Sequence, residues 1–525
     1  MELPSFPYKI LILAPFLSER ESSLPEGPLQ VNLENPEDIF SQLNPSFYVP
    51  LPKELHPTGG VDINPKKNKD FHPDSLVQTL PFLKTLWEAR EFLKEARAKG
   101  ISEEDVAAKL ANWPELPSEF KYTPSTFPKK KEKDKASKID DLLKMVALPE
   151  EEKNLSGAYI DVLSSLEWQL QQILKAIFKD QTFRKAEATW LGFKYLCNSM
   201  KGNHKWGLNI YPISEKNLQE NLDHLLPLLI TDLPSLIILD CPLDNSNVSI
   251  ENLQKVASLA ETLLVPVVGW IKPQFFYLES WAEITKLPFL PHFLEESAYA
   301  KWRQLKKTPA ARWLAITCNC CLGRYPYGAE NKPKQVYFEE SQELWLSPVW
   351  AMGIIINQSI QKYGWPTRIT DWKKIFMENL PLPLREGNKT YPTEVLFSED
   401  RIDQFIRAGI IPLVSMANKD MAFFPRETTI AGGSFAYQLL LTRITQFILW
   451  LKENYGQEIP HSHLEPKLKE TLSLFFAKIG DLSFQRMEIS VAQPIPGKPA
   501  AVKIEIEPSP RLLPSGEKIE LKLDW

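Results

Sequence analysis

Side chains able to do chemistry are few and scattered in this chain of 525 residues. Its densest cluster of metal-ligating and nucleophilic types is Cys318-Asn319-Cys320-Cys321. A closed tetrahedral zinc site needs a second ligand pair, and neither Cys197 nor Cys241 supplies one. Placed on an expected helix over 310–322 with Trp313, Leu314 and Ile316, these thiols read as small apolar core residues. Seven histidines give one close pair, His461 and His463, in a Pro-flanked stretch that reads as a solvated connector. Ser434, in Ala431-Gly432-Gly433-Ser434-Phe435, lacks the following glycine of a nucleophile elbow and suits a helix N-cap instead. No G-x-x-x-x-G-K-[ST] and no G-x-G-x-x-G occurs, so nucleotide chemistry has no footing. The balance of 44 prolines to 21 glycines points the same way, because phosphate-cradling loops need glycine for close backbone approach and positive φ. Among 66 acidic residues a glycosidase-like pair could only be picked arbitrarily. The sequence therefore predicts no catalytic, cofactor or metal site.

The net charge of −5 offers no general attraction to nucleic acid or an anionic membrane. Five cysteines are odd in number and too few for a disulfide framework, which suits a reducing compartment and a cytoplasmic location. The opening apolar run, Ile10 to Leu17, is short and broken by Pro15, so it reads as a buried strand rather than a signal peptide or membrane span. The length implies several domains.

Residues 18–68 read as extended, loop-rich chain. Pro73-Asp74-Ser75 then opens a helical block ended by Gly100, with Pro81 starting a second helix. Ser102, followed by Glu103, Glu104 and Asp105, caps a third. Proline and lysine crowd the stretch from Pro117 to Lys138, which reads as a solvated linker. After it, Ile139, Leu142, Leu143, Met145 and Val146 make a short amphipathic segment. Helical patterns over 158–196 precede an alternation of apolar strands (208–213, 235–239, 264–270) with helices (218–230, 250–262), a βαβ rhythm that predicts parallel strands. Further helices are expected at 350–363 and 435–454, and strands at 394–397 and 410–416. The last forty residues alternate apolar with polar, as a β-meander or a set of donated strands would.

In this order the segments resemble the contractile-sheath subunits of bacterial type VI secretion systems, small (TssB/VipA-like) and large (TssC/VipB-like) in one chain. Small-subunit features are Leu3-Pro4-Ser5-Phe6-Pro7 before the strand, Phe71-His72-Pro73-Asp74, Pro81-Phe82-Leu83 and Ala89-Arg90-Glu91. Large-subunit features are the helix carrying Glu187, Trp190 and Gly192, the run Arg324-Tyr325-Pro326-Tyr327-Gly328, Pro392-Thr393-Glu394-Val395, and Ala408-Gly409-Ile410-Ile411-Pro412. Three features depart from the pattern. Few residues precede the first strand, Leu191 replaces an arginine, and Trp365 leads into Pro366-Thr367-Arg368 instead of a glycine-rich loop.

The resemblance implies an α/β body with helical segments and terminal β-strand arms. It implies a small-subunit-like domain at 1–116, a linker at 117–138 and a large-subunit-like domain at 139–525. It implies a non-enzymatic subunit that self-assembles around an Hcp-like inner tube on baseplate components and drives ejection by contraction. It also implies that Ile139 to Val146 is a helix gripped by a ClpV-like AAA+ ATPase. The alternatives are a non-contractile scaffold, cap or baseplate adaptor of the same apparatus and, third, an enzyme with an unrecognised site.

Overall fold

A computed structural model describes residues 6–18, 24–117, 120, 157–202, 206–385, 388–456, 459–479, 484–492 and 499–525. Most of the linker, 118–119 and 121–138, and the segment Ile139 to Val146 lie outside them. The chain divides into two compact units, neither contiguous in sequence. One comprises Met1–Ser46, Lys185–Tyr325 and Glu343–Trp525, the other Phe47–Arg184 and Pro326–Gln342.

The larger unit is built on a seven-stranded sheet ordered Ile410–Pro412, Leu314–Cys318, Val267–Ile271, Leu236–Leu243, Tyr8–Ala14, Trp206–Pro212 and Leu29–Gln30. Every pairing is parallel except the two-residue edge strand Leu29–Gln30. Strands buried on both faces read as continuous apolar runs, which is why Leu236-Ile237-Ile238-Leu239 and Ile10-Leu11-Ile12-Leu13 are recognisable in the sequence. The first strand does not stay with its sequence neighbours. It inserts between Leu236–Leu243 and Trp206–Pro212, pairing in register along both.

Helices Leu218–Thr231 and Asn247–Leu263 supply the expected crossovers. Ser246 caps the second by accepting from the Ser249 amide, and Leu264 closes it in the left-handed region. Helix Phe435–Tyr455 starts at Ser434, whose hydroxyl accepts from the Tyr437 amide at 3.1 Å and donates to half-buried Glu427 at 2.6 Å. Ser434→Ala should lower the urea midpoint of unfolding, at a cost of about 1–2 kcal/mol for a lost cap; an unchanged midpoint would show the cap to be idle.

The C-terminal alternation is a meander within the chain. Phe484–Val491, Ala501–Pro508 and Ile519–Asp524 form an antiparallel sheet. Its inner face, with Met487, Ile489, Val502, Ile504, Ile506 and Ile519, joins one core with residues of helices Phe435–Tyr455 and His461–Ile479.

The smaller unit holds the hairpin Phe47–Pro50 and Gly60–Ile63, helices Pro73–Thr79, Pro81–Lys99 and Glu103–Ala111, the long helix Gly157–Lys179 and the loop 326–342. Both prolines sit at helix position one, Gly100 closes its helix at φ 63°, and the Ser102 side chain accepts from the Asp105 amide. All of these follow from the sequence signals.

Four expectations are corrected. Residues 310–322 are not a helix: a short 3-10 turn, Pro309–Trp313, leads into buried strand Leu314–Cys318 and then Cys321–Arg324. Residues 394–397 form no strand, because only a single bridge, Thr393 to Cys321, is made there. The stretch 18–68 contains a short helix, Asp38–Leu43, and three short strands, Leu29–Gln30, Phe47–Pro50 and Gly60–Ile63, that periodicity over so few residues could not reveal. His461 to His463 open helix His461–Ile479 rather than lying in a loop.

Candidate functional site

The motif residues gather into buried polar knots, each tying a loop to a helix or strand. In the larger unit, Glu187 on helix Gln181–Met200 receives two hydrogen bonds from Arg324, Nε to Oε1 at 2.6 Å and Nη2 to Oε2 at 2.9 Å. Both side chains are largely sequestered, with 14% and 6% of the arginine and glutamate side chains exposed. This planar two-point pairing is what arginine does and lysine cannot. Arg324→Lys should therefore cost about 1.5–3 kcal/mol, the worth of one charged hydrogen bond, read as a lower melting temperature; a loss no larger than that of a surface lysine swap would deny the fork its role.

One turn further along that helix, Trp190 stacks on Phe40 at 3.8 Å between centroids and meets Phe16 edge-on at 5.0 Å. Gly192 is there for close approach: a Cβ would stand 2.5 Å from the Trp350 indole. Gly409 ends helix Glu399–Ala408 at φ 87°, and a Cβ there would stand 2.6 Å from the Ile430 carbonyl.

The cysteine cluster belongs to a second knot. Asn319 sits in the left-handed region at φ 70° between two strands. Its Nδ2 donates to the Val395 and Leu413 carbonyls at 3.0 and 2.8 Å, and its Oδ1 accepts from the Val395 amide. Glu394 accepts from the Cys320 amide at 2.9 Å, and the Glu394 amide donates back to the Cys320 carbonyl. Two sequence motifs, P-T-E-V and A-G-I-I-P-L, are thus bound to one tight turn. Burial pushes the thiols of Cys318, Cys320 and Cys321 up, the last to about 12, which makes them poor nucleophiles. Burial likewise raises Glu394.

The third knot was not singled out by sequence. Asp240, the one acid inside the apolar strand Leu236–Leu243, is buried and accepts three hydrogen bonds from neutral donors. These are Ser347 Oγ at 2.6 Å, Trp270 Nε1 at 3.0 Å and Trp350 Nε1 at 3.0 Å. Ser347 precedes helix Pro348–Tyr363, so the carboxylate fastens that helix to the sheet. A charge in a buried strand costs free energy unless hydrogen-bonded, and that is the signal by which it could have been found.

In the smaller unit the same design recurs. Asp74 accepts from the Gln335 and Lys334 amides at 2.9 and 3.1 Å, and Arg90 Nη2 donates to the Gln335 carbonyl at 2.8 Å. Pro73 is buried beside them at the start of its helix. Arg184 reaches the Phe178 carbonyl and Glu340, both within 3.1 Å, and Glu340 in turn accepts from the Tyr327 amide. The Tyr327 ring lies between His72, Phe178 and Phe338 at centroid distances of 5.3, 5.1 and 5.8 Å. Pro326 and Gly328 flank it in the same loop. The charged and amide side chains of these knots, Glu187, Arg324, Asn319, Glu394, Asp240, Asp74, Arg90 and Arg184, all have hydrogen-bond partners, so the arrangement holds shape. Among the described residues no cluster has the makings of a metal site, and no helix is long and apolar enough to cross a membrane.

Comparison with known proteins matches these segments to two families. Residues 2–113 match the type VI secretion system VipA family, and residues 234–431 match VipB, the EvpB-type tail sheath N-terminal domain. The type VI secretion system sheath protein TssC1 of Pseudomonas aeruginosa is 24% identical over 295 residues, half of this chain and 59% of the relative. The chain thus spans about three fifths of that relative's length. Among solved structures, the cryo-EM baseplate of the anti-feeding prophage aligns with 64% of this chain and 76% of its own at 9% identity and TM-score 0.35. The contracted helical sheath of the same prophage aligns with 64% and 77% at 11% identity and TM-score 0.29. Likenesses this slight bear no argument. The two family matches do: one polypeptide carries, in order, a VipA domain of the type VI secretion system and a VipB tail-sheath domain.

Proposed function

We propose that the chain is a structural subunit of a type VI-like contractile sheath, with residues 1–116 as its small-subunit part, 117–138 as linker and 139–525 as its large-subunit part. It assembles with copies of itself in the cytoplasm around an Hcp-like inner tube on a baseplate, and contraction of the assembly drives the tube out. Such a subunit does no bond chemistry; it stores packing free energy in one arrangement of rigid bodies and releases it in another.

The observation that carries the reading is the interleaving of VipA-type and later segments in both units. Strand Tyr8–Ala14 lies inside a sheet otherwise formed mainly by later residues, and Asp74 and Arg90 hold the loop 326–342. Bodies sewn together in this way are stiff, as a force-bearing subunit requires. The fused linker also fixes stoichiometry at one to one and makes docking of the two parts intramolecular.

Negative-stain microscopy of the purified protein with inner-tube protein tests the reading. Hollow tubes with a cogwheel cross-section are expected; monodisperse particles under all conditions would overturn it. The non-contractile adaptor reading draws on the region after Trp365, where the family's glycine-rich loop is replaced. There Thr367 Oγ1 donates to the Leu512 carbonyl and Trp365 packs on Phe476 at 5.1 Å. Tubes that form but never shorten would favour it. For Ile139 to Val146, pull-down of a ClpV-like AAA+ ATPase by the peptide 137–148 tests the recycling role, and no retention at high peptide concentration would remove it.

A further inference from the structure

The two ends of the central sheet in the larger unit carry opposite charge. All its strands but the two-residue edge strand run in one direction, so they share a starting end and a finishing end. Helix Pro348–Tyr363 runs the other way. Ser347, just before it, bonds Asp240 in the second half of strand Leu236–Leu243, and Gly353 approaches Ile238, earlier in that strand. Its last turn therefore lies at the starting end. Helix Gln181–Met200 ends beside it, because Asn357 Nδ2 and Gln361 Nε2 both donate to the Ser199 carbonyl, at 2.6 and 3.0 Å.

Around these two helix ends stand Lys201, Lys362, Lys373, Lys374 and Arg511, all exposed. Lys362 Nζ reaches the Lys374 carbonyl at 3.5 Å, and Arg368 Nη1 draws in the loop of Arg511 by donating to the Pro510 carbonyl at 3.0 Å. Among the described residues none of these exposed cations is ion-paired. Asp371, the acid beside them, is taken by Arg368 and by the Tyr363 hydroxyl. Cations suit helix C-termini, which accounts for Lys201 and Lys362. It does not account for Lys373, Lys374 and Arg511, which follow no helix end; the two lysines belong to the stretch after Trp365, where the family's glycine-rich loop is replaced.

The finishing end is acidic around an apolar centre. Beyond strand Leu236–Leu243, Asn245 Nδ2 donates to the Tyr277 hydroxyl at 2.9 Å and to the Ala298 carbonyl at 3.1 Å, gathering three loops. Val248 and Tyr277 are 60% and 64% exposed there. Lys272, Lys301 and Arg303 are ion-paired with Asp244, Glu251 and Glu295. Exposed Glu279 and Glu296, and Glu220 in the first turn of helix Leu218–Thr231, have no ion pair among the described residues.

We propose that the basic end of the larger unit docks on the acidic end of the larger unit in a second copy of the chain. Opposite ends of one body meet, so the contact is heterologous and repeats in a single direction, as a polar tube of equivalent subunits requires. Lysine stems lie over the apolar centre while their ammonium groups reach the surrounding glutamates, and the charges steer the approach and set register. The inference rests on the proposed sheath assembly and names a surface by which neighbours in it meet.

Sedimentation velocity of the full chain should show open-ended association at about 50 mM salt that is lost at about 500 mM, where the screening length falls to a few ångströms. Lys362→Glu with Lys373→Glu and Lys374→Glu should associate about tenfold more weakly or worse. Glu220→Lys with Glu279→Lys and Glu296→Lys should fail likewise alone, and an equal mixture of the two variants should recover association. A small proportion of the lysine variant should also shorten wild-type oligomers, since it keeps an acidic end and lacks a basic one; a two-fold contact would not be capped in this way. Melting temperatures, measured alongside, identify any failure to fold, and Lys362→Gln with Lys373→Gln and Lys374→Gln supplies the decision if the reversal does not fold. Association indifferent to both variants, or a mixture that does not recover, would overturn the proposal. So would a short DNA duplex retained by the wild type and lost by the lysine variant while association is unchanged, which would make the patch a polyanion site. Tubes that form normally from the lysine variant would reject the contact and leave the sheath reading intact. Wild-type chains that associate head to tail yet never close into tubes with inner-tube protein would uphold the contact and count against the sheath reading.

Discussion

Residues 139–525 produced without residues 1–116 are expected to lack a folded central sheet, and residues 1–116 supplied separately are expected to rescue them. Strand Tyr8–Ala14 is interior, with a parallel neighbour on each side. Removing it leaves Trp206–Pro212 and Leu236–Leu243 with facing unpaired edges and an apolar slot between them. Ile10, Leu11, Ile12 and Leu13 are each at most 1% exposed. At about 1.5–3 kcal/mol per buried aliphatic side chain the four contribute on the order of 10 kcal/mol, the size of a whole domain's net stability. The guanidinium of Arg443 adds to the loss: it donates to the Pro7 carbonyl at 2.9 Å and to that of Phe6, and lies over the Phe6 ring at 4.6 Å. Without these residues it is a buried cation with no acceptor. The smaller unit fails for its own reasons, since it loses the hairpin and three helices that come before residue 116. The longer piece should precipitate or show no cooperative melt, and co-expression with residues 1–116 should return both as one soluble complex. A longer piece that melts cooperatively by itself, near the temperature of the intact chain, would refute the interleaved architecture.

That insertion marks the boundary of what sequence could show. The apolar runs, caps and helix stops were legible because they are local: Pro81, Gly100, Ser102 and Ser434 do what their residue types dictate. Strand order was not, because parallel neighbours are set by packing between segments nearly two hundred residues apart, such as Tyr8 and Trp206. The run Ala310-Ala311-Arg312-Trp313-Leu314-Ala315-Ile316 has no polar face, and periodicity cannot separate a buried helix from a buried strand in such a run. Glu394 to Phe397 has strand-forming side chains but makes its backbone hydrogen bonds to the Cys320 turn, so propensity was overridden by a tertiary partner. The motif residues were visible one by one through the family pattern. That Glu187 meets Arg324, and Asp74 the loop at Gln335, depends on contacts 137 and 261 residues apart in sequence, which single-chain reading does not supply.

Asp240→Ala should be the most costly single truncation in the larger unit and should also alter its response to pH. The mutation leaves Ser347 Oγ, Trp270 Nε1 and Trp350 Nε1 without the acceptor they share in the wild type. Each buried donor left unpaired costs about 1–3 kcal/mol, so the three together cost about 3–9 kcal/mol before relaxation. The damage spreads because the Trp350 indole is also the wall against which Gly192 packs. The carboxyl itself pulls in the other direction. Burial raises its pKa, while the three donors lower it by less. A carboxyl raised on folding holds its proton more tightly in the native state, so its contribution is fullest below the ordinary carboxylate range and is lost as pH rises through the native value. Glu394 and Glu427 are raised by burial too and follow the same sign. The stabilisation these three groups give should therefore fall as pH rises above about 4, the ordinary carboxylate value, and Asp240→Ala, which lacks one of them, should be less stable throughout but lose less stability over that rise than the wild type. Equal slopes in the two proteins would show that Asp240 titrates alike folded and unfolded. A melting temperature unchanged at every pH would show that its three hydrogen bonds do not hold helix Pro348–Tyr363 to the sheet.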